Sequence, residues 1–349
     1  MTSLRPRARR PRVAPWYLVA ILAVLLPLAQ ACGLSTLIEG ERPLTTLKVS
    51  VSPILTYAPY YVADAEGYFA EQGLKVEFVR LSRGADTYPA LVKGELDVAG
   101  GSVTSGLFNL VAREPNFKFV ADKGHAPSSD CANSGLIASR ALVEKGGLSE
   151  PSQLKGLRVD IDPVGYSGYA VDRLLAPDGL STADLQIVNL PEAAAIEALQ
   201  QGSLDVMSTG EPWITRALQS GKIVVWKHAA ELTPNFQLAI VAYGPNLLQR
   251  DPEVGQRFMN AYLKGVRRCN EGKTPRNLDI LAKATELDRG LLEAMCWPGF
   301  RADGMIDTQT LVDFQSWAHD KELLDSPVPV EKFWDPRFVE EANRVLGAD

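Results

Sequence analysis

One short phrase occurs twice in this 349-residue chain, and that duplication limits its architecture more than any other feature. Residues 90–98 read Ala-Leu-Val-Lys-Gly-Glu-Leu-Asp-Val, and residues 198–206 read Ala-Leu-Gln-Gln-Gly-Ser-Leu-Asp-Val. Each follows a strand-like run that ends in proline: Lys48-Val-Ser-Val-Ser-Pro53 and Arg158-Val-Asp-Ile-Asp-Pro163. Pro53 to Asp97 spans 44 positions, and Pro163 to Asp205 spans 42. Two similar α/β units in one chain imply two lobes that face a shared cleft. Such a cleft binds small molecules, and nothing in the repeat itself calls for chemistry on them.

The first 45 residues have a different character. Residues 1–12 hold five arginines and no acid, and Trp16–Ala31 is apolar apart from Gln30. A basic segment followed by an apolar one has the form of an export signal. The apolar run is 16 residues long and contains Pro27, short of the roughly 20 residues a spanning helix needs. It closes as Leu-Ala-Gln-Ala-Cys32, which is similar to a bacterial lipobox with Ala29 in place of the usual leucine. The expectation is a lipoprotein signal over 1–31, lipidation at Cys32 and a tether over 32–45. An ordinary signal cut after Ala31 is the alternative.

Without residues 1–31 the charge is 31 basic against 42 acidic residues, a net of −11. An acidic body argues against nucleic acid, whose phosphates need a basic face. Two pairing schemes for Cys131, Cys269 and Cys296 stay open: a Cys269–Cys296 bridge with Cys131 alone, or three unpaired small apolar side chains. None of the three has a histidine at metal-ligand spacing, so no metal or cofactor is expected.

Strand and helix signals alternate along the body. Strands are predicted at 47–51, 75–81, 96–99 and 117–121, then at 134–139, 157–161, 185–190, 204–207, 223–226 and 237–243. The last is expected to return the chain to the first lobe, antiparallel to Ser134–Ser139. Glycines 73, 94, 202 and 221 read as helix stops. The fold class is α/β and two-lobed, each lobe a mixed sheet flanked by helices, with two hinge strands crossing near 125–135 and 228–238. The layout is lobe I from 46–130, lobe II from 131–238, and a return to lobe I over 239–349. Val254, Phe258, Tyr262 and Val266 form a helical stripe that should pack on lobe I. A hinge and a cleft together permit closure around a ligand.

Ligands in open α/β sheets sit beyond the carboxyl ends of the strands. Six aromatic residues fall in those turns: Tyr57, Tyr60, Tyr61, Tyr166, Tyr169 and Trp213. Facing rings would make a stacking slot, although Tyr60 and Tyr61 are adjacent and only one can point inward. Ser102, Thr104 and Ser208 stand at helix starts, able to hold an anion or a carbonyl oxygen, or simply to cap. Glu211 and Asp162 are acids at the tips, and Arg80, Arg83 and Lys123 are the cations there. The candidate ligand-binding set is therefore Tyr57, Tyr60, Tyr61, Arg83, Ser102, Thr104, Asp162, Tyr166, Tyr169, Ser208, Glu211 and Trp213.

Several longer motifs point to a family. Ala58-Pro59, Ala63, Glu66-Gly-Tyr-Phe-Ala-Glu-Gln-Gly-Leu74, Leu154-Lys-Gly-Leu-Arg-Val159 and Glu211-Pro-Trp213, with the duplicated phrase, resemble the SsuA-like substrate-binding proteins of ABC importers. The resemblance covers about 46–250. It implies a type II periplasmic-binding-protein fold, an extracytoplasmic lipid-anchored monomer, and a permease with its ATPase as partners. Ligands in that family include alkanesulfonates, taurine, nitrate, thiamine-pathway pyrimidines and riboflavin. Six aromatic residues in the cleft turns favour a flat heteroaromatic vitamin, riboflavin or a thiamine-pathway pyrimidine, over a sulfonate, taurine or nitrate. Competing classes are a thiamine-pyrimidine synthase, which in that family uses a histidine and a cysteine cluster this chain lacks, and a ligand sensor.

Overall fold

The computed structural model describes residues 44–81, 86–126, 131 and 133–347. Ten strands form two five-stranded sheets. The first holds β1 (Thr45–Ser50), β2 (Leu74–Val79), β3 (Val98–Ser102), β4 (Lys118–His125) and β10 (Gln237–Tyr243), in the order β2-β1-β3-β10-β4. The second holds β5 (Ser134–Ser139), β6 (Arg158–Asp160), β7 (Gln186–Val188), β8 (Val206–Gly210) and β9 (Ile223–His228), in the order β7-β6-β8-β5-β9. The two orders superimpose element for element, with β10 in the place of β5.

The duplicated phrase sets the register of each sheet. Leu91 and Leu199 are buried, and Gly94 and Gly202 both adopt φ of 75°, a left-handed turn that glycine takes without a Cβ clash. The aspartate then clips the chain to the preceding strand. Asp97 Oδ2 accepts from Lys48 N at 2.7 Å, and Asp205 Oδ2 accepts from Arg158 N at 2.9 Å. The backbone N–H groups of the same aspartates donate back to Lys48 O and Arg158 O. Val98 thereby pairs with Val49, and Val206 with Val159, in parallel.

One pairing differs from expectation. Strand β10 does not pair with β5; it lies antiparallel to β3 and β4. Strand β5 lies antiparallel to β8 and β9. Each is the first strand laid down after the chain changes sheets, and each lies between two strands of its new sheet. Alternation along a sequence reports that a strand exists, not which neighbour fills its hydrogen bonds.

The helix Pro252–Asn270 packs its stripe of Val254, Phe258, Tyr262 and Val266 against the first lobe, where all four are buried. Gly265 lets it approach the helix Ala58–Ala65; a Cβ there would meet Pro59 O at 2.4 Å. The C-terminal helices are not confined to the first lobe. On helix Thr308–Asp320, Trp317 Nε1 donates to Asp172 Oδ2 at 2.7 Å, and Lys321 Nζ pairs with the same oxygen at 2.8 Å. Asp172 lies on helix Tyr166–Leu175 of the second lobe. The two lobes also touch across the cleft: Ser105 Oγ donates to Val164 O at 3.1 Å, and Thr104 bridges Gly165.

Cysteine pairing departs from both schemes. Cys131 and Cys296 form a disulfide, and Cys269 is the buried free thiol. The bonded residues lie 165 positions apart, a separation from which no local pattern could signal proximity.

Candidate functional site

Between the sheets lies a cavity of about 330 Å³. Its walls are built from strand ends. Ile54, Leu55 and Thr56 follow β1; Ser102, Val103 and Thr104 close β3; Asp162, Tyr166 and Ser167 follow β6; Ser208, Thr209, Gly210 and Glu211 close β8. Asn133, Ser134, Leu238, Ala239 and Pro298 complete it. Hydroxyls dominate the polar lining, and two helices of nine and ten residues, Ser105–Arg113 and Tyr166–Leu175, begin at its edge. Amide N–H groups at such starts suit oxygen-rich ligands. Ser134 Oγ is shielded from solvent and has no hydrogen-bond partner among the described residues, so a ligand atom can satisfy it.

Six of the sequence candidates meet here: Ser102, Thr104, Asp162, Tyr166, Ser208 and Glu211. Several already have partners. Thr104 Oγ1 caps its helix by accepting from Leu107 N at 3.2 Å. Asp162 Oδ1 accepts from Val164 N at 3.1 Å. Glu211 accepts from Thr215 N and Oγ1 at 3.1 and 2.8 Å, and from Cys296 N at 3.1 Å. It ties the disulfide segment to the second lobe, which no reading of the turn itself could show. The Tyr166 hydroxyl sits 2.8 Å from Thr233 Oγ1, and burial pushes its pKa up to about 12.

Five aromatic candidates do not line the cavity, so the expected stacking slot is not formed. Tyr57 donates to Gly100 O at 2.7 Å from a buried position, and burial raises its pKa to about 12. Tyr60 is fully buried against Phe258 and Tyr262. Tyr61 donates to Ser52 O and packs its ring on Phe78, beside a separate groove with Arg80 and Arg276. Tyr169 is buried among Phe236, Phe314 and Trp317, where it joins helix Tyr166–Leu175 to helix Thr308–Asp320. Trp213 lies under the Arg216 guanidinium, 5.0 Å from its ring centre. Tyr57, Tyr60, Tyr61 and Tyr169 share one physical reason, while Trp213 stays half-buried against Arg216. These turns sit where core and cleft meet, and large rings gain more from full burial than from a half-open wall. Arg83 and Cys32 lie outside the described residues.

The candidate set left out the other wall residues, among them Thr56, Asn133, Ser134, Ser167, Leu238, Ala239 and Pro298. Thr56 and Ser167 follow the predicted strands 47–51 and 157–161. Pro298 had no local signal, because the disulfide brings its segment to the cavity.

The chain matches the model of the NMT1-like family over residues 40–285. It is 25% identical over 339 residues to a Bacillus subtilis (strain 168) protein whose name assigns it to aliphatic sulfonates, covering 93% of this chain and 96% of that one. It is 24% identical over 250 residues to the taurine-binding periplasmic protein of Escherichia coli (strain K12), covering 70% and 75%. It is 28% identical over 235 residues to the riboflavin-binding protein RibY of Chloroflexus aurantiacus, covering 63% and 61%. The fold matches the crystal structure of the periplasmic aliphatic sulphonate binding protein SsuA from Escherichia coli with a TM-score of 0.66 at 17% identity, covering 83% of this chain and 92% of that one. The chain thus belongs to the NMT1-like family, as an SsuA-like substrate-binding protein of the kind that serves ABC importers.

Proposed function

We propose that this chain is the extracytoplasmic receptor of an ABC importer, anchored through a lipid on Cys32, which captures a small oxyanion-bearing solute such as an alkanesulfonate. It works as a monomer that closes on the solute and docks on a permease driven by an ATPase. The carrying observation is the hydroxyl-lined cavity between two sheets whose lobes already meet at Ser105 and Val164. A solute that touches both walls favours the closed arrangement and shifts the population toward it. The relatives named for sulfonates and taurine support the same class.

Binding without chemistry fits the lining, in which the described residues include neither histidine nor cysteine. That composition gives no support to a pyrimidine synthase. A flat vitamin is the second reading, and two observations favour it: the Tyr166 ring in the wall and the similarity to RibY. Calorimetric titration with ethanesulfonate, taurine, nitrate, riboflavin and a thiamine-pathway pyrimidine tests both. Micromolar binding of a sulfonate supports the first reading. Binding of riboflavin or the pyrimidine alone replaces it with the second.

A further inference from the structure

The cavity has a charge problem if its guest is an anion. The described residues that line it carry two carboxylates, Asp162 and Glu211, both from the second lobe, and no lysine or arginine. A cation does lie close by, behind the wall of the first lobe. Lys123 on β4 is 1% exposed, and its Nζ donates to Thr56 Oγ1 at 2.9 Å. Thr56 faces the cavity. The ammonium also sits 3.6 Å from the centre of the Tyr57 ring. Its stem crosses the sheet over Gly100, where a Cβ would stand 2.6 Å from Lys123 Cδ. Gly100 therefore makes the passage possible, and Tyr57, held by Gly100 O, roofs it.

We propose that Lys123 is a positioning residue that supplies, through the Thr56 hydroxyl, the counter-charge for an anionic head group in the cavity. This rests on the oxyanion reading of the site. With its oxygen already accepting from Lys123, Thr56 turns its own proton toward the guest. The charge-assisted donor strengthens that second bond. Keeping the ammonium behind the wall holds it away from Asp162 and Glu211, so the empty site is not collapsed by a salt bridge.

Burial lowers Lys123 to about 7 from the ordinary 10.5, while Asp122 pulls in the opposite direction. An anion one hydroxyl away favours the charged form and raises that value in the complex. Binding then takes up a proton around neutral pH. Affinity is greatest below pH 7 and falls as pH rises above it, until the higher value of the complex is passed. Other groups near Lys123 are Asp122, held by Arg301 and Gln237 and close to His125; Tyr57 and Tyr88; and, across the cavity, Asp162 and Glu211.

The test is calorimetry of the purified full chain with ethanesulfonate at pH 6.0 and 8.5, in two buffers of different ionisation heat. The expected wild-type result is roughly ten- to thirtyfold weaker binding at pH 8.5, with proton uptake on binding. Lys123→Met should bind weakly at both pH values. Thr56→Val, which leaves the lysine in place, should lose most of the pH slope, and Thr56→Ser should keep it. His125→Asn should also keep it. Tight binding that is flat with pH and unchanged in Lys123→Met and Thr56→Val overturns this inference and leaves the oxyanion reading standing. No binding of ethanesulfonate, taurine or nitrate at either pH overturns both.

Discussion

Lys123 has one hydroxyl, one ring face and the Asp122 charge near it, too little to offset its burial, so it should weaken the fold that holds it, and Lys123→Met measures by how much. Unfolded, the side chain keeps its ordinary value of 10.5; folded, burial lowers it to about 7. Above pH 10.5 the lysine is neutral in both states and costs nothing in charge. As pH falls from 10.5 to 7, the unfolded chain binds a proton that the folded chain resists. Folded stability therefore drops by about 1.4 kcal/mol per pH unit. Below pH 7 the full cost is reached, about 5 kcal/mol. Methionine fills a similar length without charge, and it removes the donor to Thr56, a loss of about 1 kcal/mol. Asp122 is not orphaned, because Arg301 N, Arg301 Nη1 and Gln237 Nε2 still donate to it. The variant should be more stable than wild type by roughly 3–4 kcal/mol at pH 6, and the gap should close steadily toward pH 10. Urea unfolding followed by circular dichroism at pH 6, 8 and 10 reads both quantities. A variant less stable than wild type at pH 6, or a gap that does not shrink with rising pH, refutes the reasoning. A gain in stability paired with a loss of anion affinity would mark a group kept for binding at the expense of the fold.

Other substitutions separate wall from core. Tyr169→Ala should lower stability by about 3–5 kcal/mol in thermal or urea unfolding, because it empties the junction of Phe236, Phe314 and Trp317. Trp213→Ala should leave ligand affinity within twofold in calorimetry, because the ring lies against Arg216 and not in the wall. Ser105→Ala removes the hydroxyl donor to Val164 O, and small-angle scattering should then show a larger open fraction without ligand. Replacing both Cys131 and Cys296 with serine opens a covalent loop spanning 165 positions. It should cost about 2–5 kcal/mol in urea unfolding and loosen the Pro298 side of the cavity.

The sequence alone determined what is local and periodic. Alternation placed all ten strands, and the duplicated phrase marked two equivalent half-bodies, because a leucine, a left-handed glycine and an aspartate that clips its neighbour lie within eight positions of one another. Strand ends likewise located the hydroxyl wall at Ser102, Thr104 and Ser208. Tertiary structure decided what depends on direction and distance. It turned Tyr57, Tyr60 and Tyr169 into the core, because a ring at the border of core and cleft is best buried. It paired Cys131 with Cys296, and it set Lys123 behind Thr56 across a glycine. Neither contact leaves a trace in sequence spacing, since each depends on where two remote segments come to rest.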